Sequence, residues 1–295
     1  MTTTIIHTPD YDGWVFDPEH PTQGRRFING FQAVVMNLEE SRCRYRVAEP
    51  RQATFEELAR VHSPEYIARV SAGYSDEWSG QRLDLAHLAS TFVGGTLEAL
   101  DAAMTQDWLA VHLPGAKHHA MRDYSSGFCI FADFAIAADI ATEKGARVAI
   151  LDVDAHHGDG TEALTAMNPD VLTYSVHEKD IFPGTGNQDY PDRQAFNDPL
   201  SAYTGGSGLM NAVDRFIEVA QDHKPDIIFV AGGADAHWND PLSSLQYHLE
   251  DYEWSMTALR EAFLGKPFLF GGAGGYQPDG GTPLSWAAMI RGLAR

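Results

Sequence analysis

The residues best suited to chemistry lie in one short segment, Asp152 to Gly160. It completes the apolar run Val148 to Leu151, which is typical of a strand buried on both faces. Side chains two positions apart in an extended chain share a face, so Asp152, Asp154 and His156 are predicted to point together. One imidazole and two carboxylates converging at a strand end suit a divalent metal and one supporting carboxylate.

Strand-like apolar runs alternate with helical patterns, which predicts a mostly parallel sheet covered by helices on both faces. The predicted strands are Leu109 to Leu113, Val148 to Val153, Val171 to Val176, Ile227 to Ala231 and Phe268 to Phe270. The predicted helices are Phe131 to Lys144, Leu209 to His223, Asp251 to Leu264 and Leu284 to Leu293. Without a linker, repeat or low-complexity run, one domain over residues 1–295 is expected. The first 30 residues are predicted to form an irregular loop that decorates the sheet.

Composition narrows the class of protein. The 295 residues are 44% hydrophobic, enough for a large core, and they include no signal peptide or membrane span. The two cysteines, at positions 43 and 129, show no metal or redox spacing, which predicts a reducing, cytoplasmic setting. The net charge of −20 argues against a nucleic-acid partner and favours a cationic substrate, although a solubilising surface explains it equally well. Whether copies associate in a homo-oligomer stays open.

Further polar groups follow other predicted strands. The pair His118 and His119 comes after a Pro-Gly turn, Asp235 comes after two glycines, and Tyr276 ends a glycine-rich segment. In open parallel sheets, ligands bind at the carboxyl ends of the strands. The sequence therefore predicts that these groups and the Asp152 to Gly160 segment meet at one edge of the sheet.

Six motifs follow one another along the chain: Pro114-Gly115 with His118-His119-Ala120, Ser126-Gly127-Phe128-Cys129, Asp152 to Gly160, Phe182 to Gly186, Gly233-Ala234-Asp235 and the segment ending at Tyr276. In these motifs and their order the chain resembles the histone deacetylase and acetylpolyamine amidohydrolase family, and in particular its bacterial-type members. The resemblance implies the arginase–deacetylase fold: α/β, a single three-layer α/β/α domain with a mostly parallel, roughly eight-stranded sheet. It does not settle the substrate.

The resemblance also implies a metal site. Asp154, His156 and Asp235 match the family's three zinc ligands, and three protein ligands leave positions open for water and a substrate carbonyl. Zinc acidifies water and polarises the carbonyl. Imidazole with carboxylates suits Fe²⁺ as well as Zn²⁺, so the metal stays open. Taken alone, Asp235 after two glycines would pass for a turn residue.

The same resemblance assigns the proton-transfer groups. His119 matches the general base and acid, and His118 matches an electrostatic partner beside the same water. Asp152 would orient His118 and Asp159 would orient His119. Tyr276 matches the tyrosine whose hydroxyl donates to the tetrahedral oxyanion.

The substrate tunnel is implied by three apolar residues. Phe128 and Phe182 match the family's aromatic walls, and Leu242 matches a position at the tunnel mouth. A slot between two rings accepts a linear chain and excludes branched groups. Without the resemblance, both phenylalanines would be taken as core. His237 departs locally from the pattern, and a place at the rim, behind the ligands or on the metal stays open.

A structural potassium ion is a further implication. The side chains of Asp152 and Ser175, with the carbonyls of Asp154, His156 and Val176, match the oxygens that hold it in the family. Oxygen donors of this kind suit a hard cation.

Substrate choice is predicted to depend on residues 10–26. The segment is acidic and aromatic, with Asp12, Asp17 and Glu19 as candidates for a negative rim beside Trp14, Phe16 and His20. Long versions of this loop accompany polyamine substrates in the family, and shorter ones accompany protein lysines or small amides. Its intermediate length leaves that choice open.

The sequence therefore predicts a zinc-dependent amidohydrolase that removes acetyl or other short acyl groups from a linear amine, such as acetyl-lysine or an acetylpolyamine. One alternative is an arginase-like or other small-amide hydrolase with two metals, which needs a second Asp-x-Asp pair where Asp235-Ala236-His237 stands. The other is a catalytically idle protein that binds acylated amines. Loss of a ligand, of His119 or of Tyr276 would indicate it, and none is lost.

Overall fold

The computed structural model describes residues 2–295. The strands, numbered along the chain, are β1 (Thr2–Ile6), β2 (Arg44–Ala48), β3 (Leu109–His112), β4 (Val148–Asp152), β5 (Val171–Glu178), β6 (Ala195–Leu200), β7 (Ile227–Ala231) and β8 (Phe268–Gly271). The helices are α1 (Arg25–Glu40), α2 (Phe55–Leu58), α3 (Pro64–Ser71), α4 (Leu83–Thr105), α5 (Asp133–Glu143), α6 (Asp159–Thr165), α7 (Gly206–His223), α8 (Leu249–Ala262) and α9 (Gly281–Leu293). Short 3₁₀ helices occupy Pro9–Gly13 and Pro191–Arg193.

The strands form one sheet in which neighbouring strands run in the same direction. Across residues 2–295, eight strands pair in the order β2-β1-β3-β8-β7-β4-β5-β6, and each pair is parallel. Every residue of β3, β4, β7 and β8 is buried, because helices cover both faces of the sheet's centre. The helices contact one another in two groups: the first contains α1, α7, α8 and α9, and the second contains α3, α4, α5 and α6. The predicted three-layer α/β/α fold is confirmed.

The beginning of the chain differs from its prediction. The first 30 residues were expected to form an irregular loop, but β1 lies inside the sheet between β2 and β3. Ile5 and Ile6 are buried, as are Thr3 and Thr4. β-branched threonine fits a pleated strand even though it is polar, and the Thr-rich start concealed this strand. Helix α1 also begins inside that range, at Arg25.

The interior elements agree with their predictions. The five predicted strands match β3, β4, β5, β7 and β8 to within two residues, and the four predicted helices match α5, α7, α8 and α9 to within three. The strands β2 and β6 were missed. Both are edges of the sheet, β2 is largely exposed, and β6 contains a proline, so neither has the apolar run of a central strand.

Helix α4 is the longest helix and packs on β1, β3 and β8. Its buried Gly95 lets it approach the sheet, because a Cβ there would lie 2.4 Å from Nε2 of His112. Among residues 2–295, no helix, α4 included, has both the length and the apolar character needed to cross a bilayer.

Candidate active site

The predicted chemical groups meet at one edge of the sheet. They follow β3, β8, β7 and β4, which are adjacent in that order. Because these strands are parallel, their carboxyl ends open on the same side. The loops there carry the two histidines after β3, the tyrosine after β8, the aspartate after β7 and the Asp152 to Gly160 segment after β4.

The three candidate ligands form a buried cluster. One ligand atom from each of Asp154, His156 and Asp235 lies within 4.8 Å of the others, and residues 2–295 contain no second such group. Nδ1 of His156 is 3.2 Å from Oδ1 of Asp154 and 2.9 Å from Oδ2 of Asp235. Three donors thus converge on a space that a small cation would fill.

Backbone amides fix the two carboxylates of this cluster. The N–H of Ala155 donates to Oδ1 of Asp235 at 2.9 Å, and the N–H of Gly274 donates to Oδ2 of Asp154 at 2.6 Å. A Cβ at Gly233 would lie 2.3 Å from Cα of Asp154. Glycine after β7 is therefore required for the close approach of the two loops.

Burial and mutual contact shift the pKa values of the groups in this cluster. Burial, and then the neighbouring Asp154, raises the pKa of Asp235 to about 6. Burial opposes protonation of His156, but its two carboxylate partners raise the pKa of that imidazole to about 11. Two buried carboxylates need a nearby positive charge, and the donor set of two carboxylates and one imidazole suits a divalent metal.

Each of the adjacent histidines is held by its own aspartate. Nδ1 of His118 lies 2.7 Å from Oδ2 of Asp152, and Nδ1 of His119 lies 2.7 Å from Oδ1 of Asp159. The two rings are tilted, with centroids 4.0 Å apart. A Cβ at Gly127 would lie 2.3 Å from Cδ2 of His119, so this ring packs directly on the Gly127 backbone.

The two histidines differ in charge although each pairs with one aspartate through Nδ1, because Nε2 of His118 also lies 3.7 Å from Oδ1 of Asp154. Burial lowers the pKa of His118, but Asp152 and Asp154 outweigh it and raise that pKa to about 9. Burial, and then the charge of His118, lowers the pKa of His119 to about 4. The structure thus combines a charged His118 with a neutral His119, and a neutral imidazole is able to accept a proton.

Tyr276 is held in place through its backbone. Its N–H donates to Oδ2 of Asp240 at 2.7 Å, and the carbonyl of Gly275 accepts from Nη1 of Arg26 at 2.7 Å. Gly275 has φ of +135°, a conformation that side chains rarely adopt. The sequence prediction missed Asp240; its only signal was the Asp-Pro pair before Leu242.

A cavity of about 400 Å³ leads to these groups. It is lined by His119, Gly127, Phe128, His156, Ile181, Phe182, Leu242 and Tyr276. The structure therefore brings the three predicted tunnel residues to one space with a candidate ligand and two candidate catalytic groups. The Phe182 ring lies 4.9 Å from that of His119, and 49% of the residue is exposed. Sequence reasoning missed Ile181.

The segment of residues 10–26 is mostly built into the protein. Trp14 and Phe16 are buried, and Trp14 packs on Trp78 and Phe92, so Trp14 is not part of a rim. Three of the segment's residues contact the cavity wall: the rings of His20 and Phe16 lie 4.6 Å and 6.5 Å from that of Phe128, and Cζ of Arg26 lies 5.6 Å from the centroid of the Tyr276 ring. The candidate acidic residues Asp12, Asp17 and Glu19 are exposed.

His237 lies outside the metal cluster formed by the described residues. Its Nδ1 pairs with Oδ1 of Asn239, and a Cβ at Gly281 would lie 2.9 Å from the same nitrogen. The ring is therefore packed against the start of α9. In this place it supports the loop after β7.

The oxygens suggested for potassium lie at the ends of β4 and β5. Asp152 and Ser175 are opposite each other in the parallel register, and Val176 follows Ser175. Oδ1 of Asp152 accepts from the N–H of Asp154 at 3.0 Å, and Oγ of Ser175 lies 2.9 Å from Nδ1 of His177. The two side chains are neighbours, but each already has a protein partner.

Comparison with known proteins places the chain in a family. Residues 17–293 match the model of the histone deacetylase domain. The acetoin utilization protein AcuC of Bacillus subtilis (strain 168) is 34% identical, over 97% of this chain and 81% of the relative. The protein of the same name from Staphylococcus aureus (strain Mu50 / ATCC 700699) is 34% identical, over 84% of this chain and 70% of the relative.

A solved structure agrees in fold. The crystal structure of the HDA15 HD domain matches 99% of this chain and 89% of its own, with a TM-score of 0.86 and 24% identity. At that identity the likeness establishes the architecture alone, and the family model and the relatives carry the assignment. The chain belongs to the histone deacetylase family and is a deacetylase, a hydrolase of amide bonds.

Proposed function

We propose that this deacetylase depends on zinc and removes acetyl or other short acyl groups from a linear amine, such as acetyl-lysine or an acetylpolyamine. One observation carries the proposal: the cavity that reaches His156 of the ligand cluster is also lined by His119 and Tyr276. A metal site, a proton carrier and a hydroxyl donor in one narrow space are what hydrolysis of an unactivated amide needs.

Asp154, His156 and Asp235 would hold the metal. The fit rests on two buried carboxylates and one imidazole whose ligand atoms all lie within 4.8 Å of one another. When bound, zinc supplies Lewis acidity toward the substrate carbonyl and lowers the pKa of water. Fe²⁺ would suit the same donors, so zinc is the part of this proposal that metal analysis decides.

The chain's own groups would carry the proton. His119, kept neutral by burial beside a charged His118, accepts a proton from water, and Asp159 holds the ring through Nδ1. The same imidazole then returns the proton to the departing amine. The Tyr276 hydroxyl donates to the oxygen that gains charge as water adds to the acyl carbon.

The cavity favours an unbranched substrate. Phe128, Phe182 and Leu242 line the same cavity, so a slender aliphatic chain would have apolar contacts along its length. The net charge of −20 would draw amines that are cationic elsewhere in the molecule, such as polyamines or lysine-rich peptides.

A two-metal, arginase-like reaction receives no support. That chemistry needs a second aspartate pair, and the described residues offer one cluster, with His237 engaged by Asn239 instead. The idle binding protein is likewise disfavoured, because the ligands, His119 and Tyr276 are all present.

We also propose a structural potassium ion between the ends of β4 and β5. Asp152 and Ser175 would supply side-chain oxygens, and Asp154, His156 and Val176 would supply carbonyls. Potassium would stabilise the strand end that carries Asp154. Replacing K⁺ in the buffer by a bulky organic cation should lower the melting temperature; an unchanged value would contradict this site.

The main test uses metal-free and reloaded protein. Chelator-treated protein should be inactive, and one equivalent of Zn²⁺ should restore release of acetate from acetyl-lysine peptides and acetylpolyamines. An N-acetyl amine branched beside the nitrogen is the matched control, which the narrow cavity should exclude. Acetate release unaffected by the chelator, or absent on every substrate after reloading with Zn²⁺ or Fe²⁺, would contradict the proposal.

A further inference from the structure

A small inner pocket lies beyond the substrate cavity and shares part of its wall. It holds about 10 Å³, room for about one water molecule. Gly127, Phe128 and Tyr276 line both spaces. Because the amine chain would occupy the cavity, the rest of the acyl group extends past the scissile carbon toward these shared walls.

Two buried cations line this pocket. Arg26 is 3% exposed and Lys117 is 5% exposed. Arg26 uses Nη1 on the carbonyl of Gly275, whereas its Nε has no partner among the described residues. Both charged groups lie over the Phe27 ring, with Cζ of Arg26 4.8 Å and Nζ of Lys117 5.6 Å from its centroid.

The charge of Lys117 has no carboxylate partner. Within residues 2–295 its ammonium makes no hydrogen bond or ion pair, and it lies 5.3 Å from the centroid of the Phe92 ring. Asp133 is engaged elsewhere: it accepts from the N–H groups of Lys117 and Ala116 and from the hydroxyl of Thr96. A buried ammonium with only aromatic neighbours costs free energy that a bound anion would offset.

No acidic residue of the described chain lines this pocket to supply the anion, although Asp133 and Asp154 attract the charge of Lys117 from outside it. Burial, and then the charge of Arg26, lowers the pKa of Lys117 to about 8, which still leaves it mainly protonated at neutral pH. Burial raises the pKa of the Cys129 thiol to about 12, so it stays neutral. The inner pocket is thus lined by Arg26, Lys117 and the charged His118, and by no carboxylate of residues 2–295.

We propose that Lys117 and Arg26 make the inner pocket a carboxylate subsite, so that the enzyme prefers acyl groups ending in a carboxylate over apolar acyl groups of the same shape. This inference rests on the proposed amidohydrolase function. A carboxylate would form charge-assisted hydrogen bonds with the cations. An apolar branch would displace water from the cations and offer no hydrogen bond in its place. The reaction stays a hydrolysis: water adds its hydroxyl to the acyl carbon, the C–N bond breaks, and the amine takes the proton.

The test compares two peptides of equal shape. Malonyl-lysine carries a carboxylate where isovaleryl-lysine carries an isopropyl group of the same shape, so one would place a carboxylate oxygen and the other a methyl group in the small pocket. The wild-type ratio of kcat/KM, malonyl over isovaleryl, should exceed one. In Lys117→Met, which keeps the length and loses the charge, the ratio should fall at least about tenfold, the loss of one charge-assisted contact. Lys144→Met, at an exposed lysine, is the matched control and should keep the ratio.

A second variant guards against misfolding. Lys117→Arg keeps a cation and should retain a ratio above one, and melting curves should show that each variant is folded. Equal ratios in wild type and Lys117→Met would overturn the inference, as would hydrolysis of neither peptide by an enzyme that cleaves acetyl-lysine.

The acetate that the reaction releases also carries a carboxylate, so it is a second ligand to test against these cations. Stronger product inhibition of wild type than of Lys117→Met, with an unchanged malonyl-to-isovaleryl ratio, would assign the cations to product and overturn the acyl preference. Failure of the proposed amidohydrolase function would give a different result: wild-type protein reloaded with metal would not cleave acetyl-lysine at all.

Discussion

The inner end and the rim of the substrate cavity are constructed differently. At the inner end, Asp154, Asp235 and His119 come from loops that directly follow three strands, and each is held by a backbone or carboxylate partner. At the rim, Phe182 lies in the connection after β5, and Leu242 lies seven residues beyond Asp235 in the connection after β7; about half of Phe182 is exposed.

This difference separates the residues proposed for catalysis from those proposed for substrate selection. Groups locked by the sheet edge keep the sub-ångström geometry that proton transfer and charge stabilisation require. Rim side chains contribute partial burial of the substrate, which varies smoothly with size. Substitutions at the inner end should therefore cost orders of magnitude, and those at the rim should cost little.

The largest effect is expected from Asp235→Ala. Removing a ligand should abolish both metal binding and activity while the fold survives. Since Oδ1 of Asp235 also accepts the N–H of Ala155, Asp235→Asn serves as a variant that keeps an acceptor there. Asp214→Ala, at an exposed position on α7, is the control. Full metal content in folded Asp235→Ala, by elemental analysis, would remove Asp235 from the site.

His119→Ala should come next. It should retain metal and substrate binding but lose about 10²–10⁴-fold in kcat, the scale for a positioned acid–base group. Single-turnover kinetics with an acetyl-lysine peptide would measure the loss. Asp159→Asn, which weakens the partner of Nδ1, should fall by less. Near-normal turnover by His119→Ala would show that another group carries the proton.

Tyr276→Phe should lower kcat by about 10²–10³-fold, since its hydroxyl acts on the developing oxyanion. A linear hydroxamate, which chelates the metal, should lose only about 0.5–1.5 kcal/mol of affinity, one hydrogen bond. Shortening the inhibitor chain should weaken it by about 0.8 kcal/mol per methylene. Equal losses in inhibitor affinity and turnover would mean that Tyr276 binds the ground state.

The smallest effect is expected from Phe182→Ala at the rim. Because the ring is half-exposed, its removal should reduce kcat/KM about two- to tenfold, mainly through KM. Steady-state kinetics on acetyl-lysine peptides would measure this. Phe55→Ala, an exposed ring on α2, is the control for a surface phenylalanine. A hundredfold fall in kcat would mean that Phe182 belongs functionally to the inner end, and the contrast would fail.

The inner end was also the more predictable region. Its residues follow apolar runs and glycines that mark strand ends. The alternation of side chains along a strand also predicts, without knowledge of the fold, that Asp152, Asp154 and His156 share a face. The rim depends on how distant loops meet. The contact of His20 with Phe128 joins segments far apart in sequence, so no local pattern announces it. One contact of the catalytic groups was missed for the same reason: Asp240 accepts from the N–H of Tyr276, 36 residues further along the chain.

Two misses have the same physical origin. Strand β1 is polar by composition, yet Thr3 and Thr4 are buried by neighbours that only the completed sheet supplies. Trp14 was expected at the rim because it lies in an acidic segment, but contact with Trp78 and Phe92 buries it. Tertiary packing overrode local composition in both cases.

The position of β8 has a consequence for how the protein is made. This strand, the last along the chain, pairs with β3 on one side and β7 on the other, and so joins the half-sheet β2-β1-β3 to the half-sheet β7-β4-β5-β6. During synthesis on the ribosome, both halves wait with an open edge until residues 268–271 emerge. His118 and His119 follow β3 in one half, whereas the candidate ligands Asp154, His156 and Asp235 follow β4 and β7 in the other, so we expect catalysis to begin only once the last strand is inserted. A nascent chain stalled before β8 should be inactive and prone to pair with other chains through those edges.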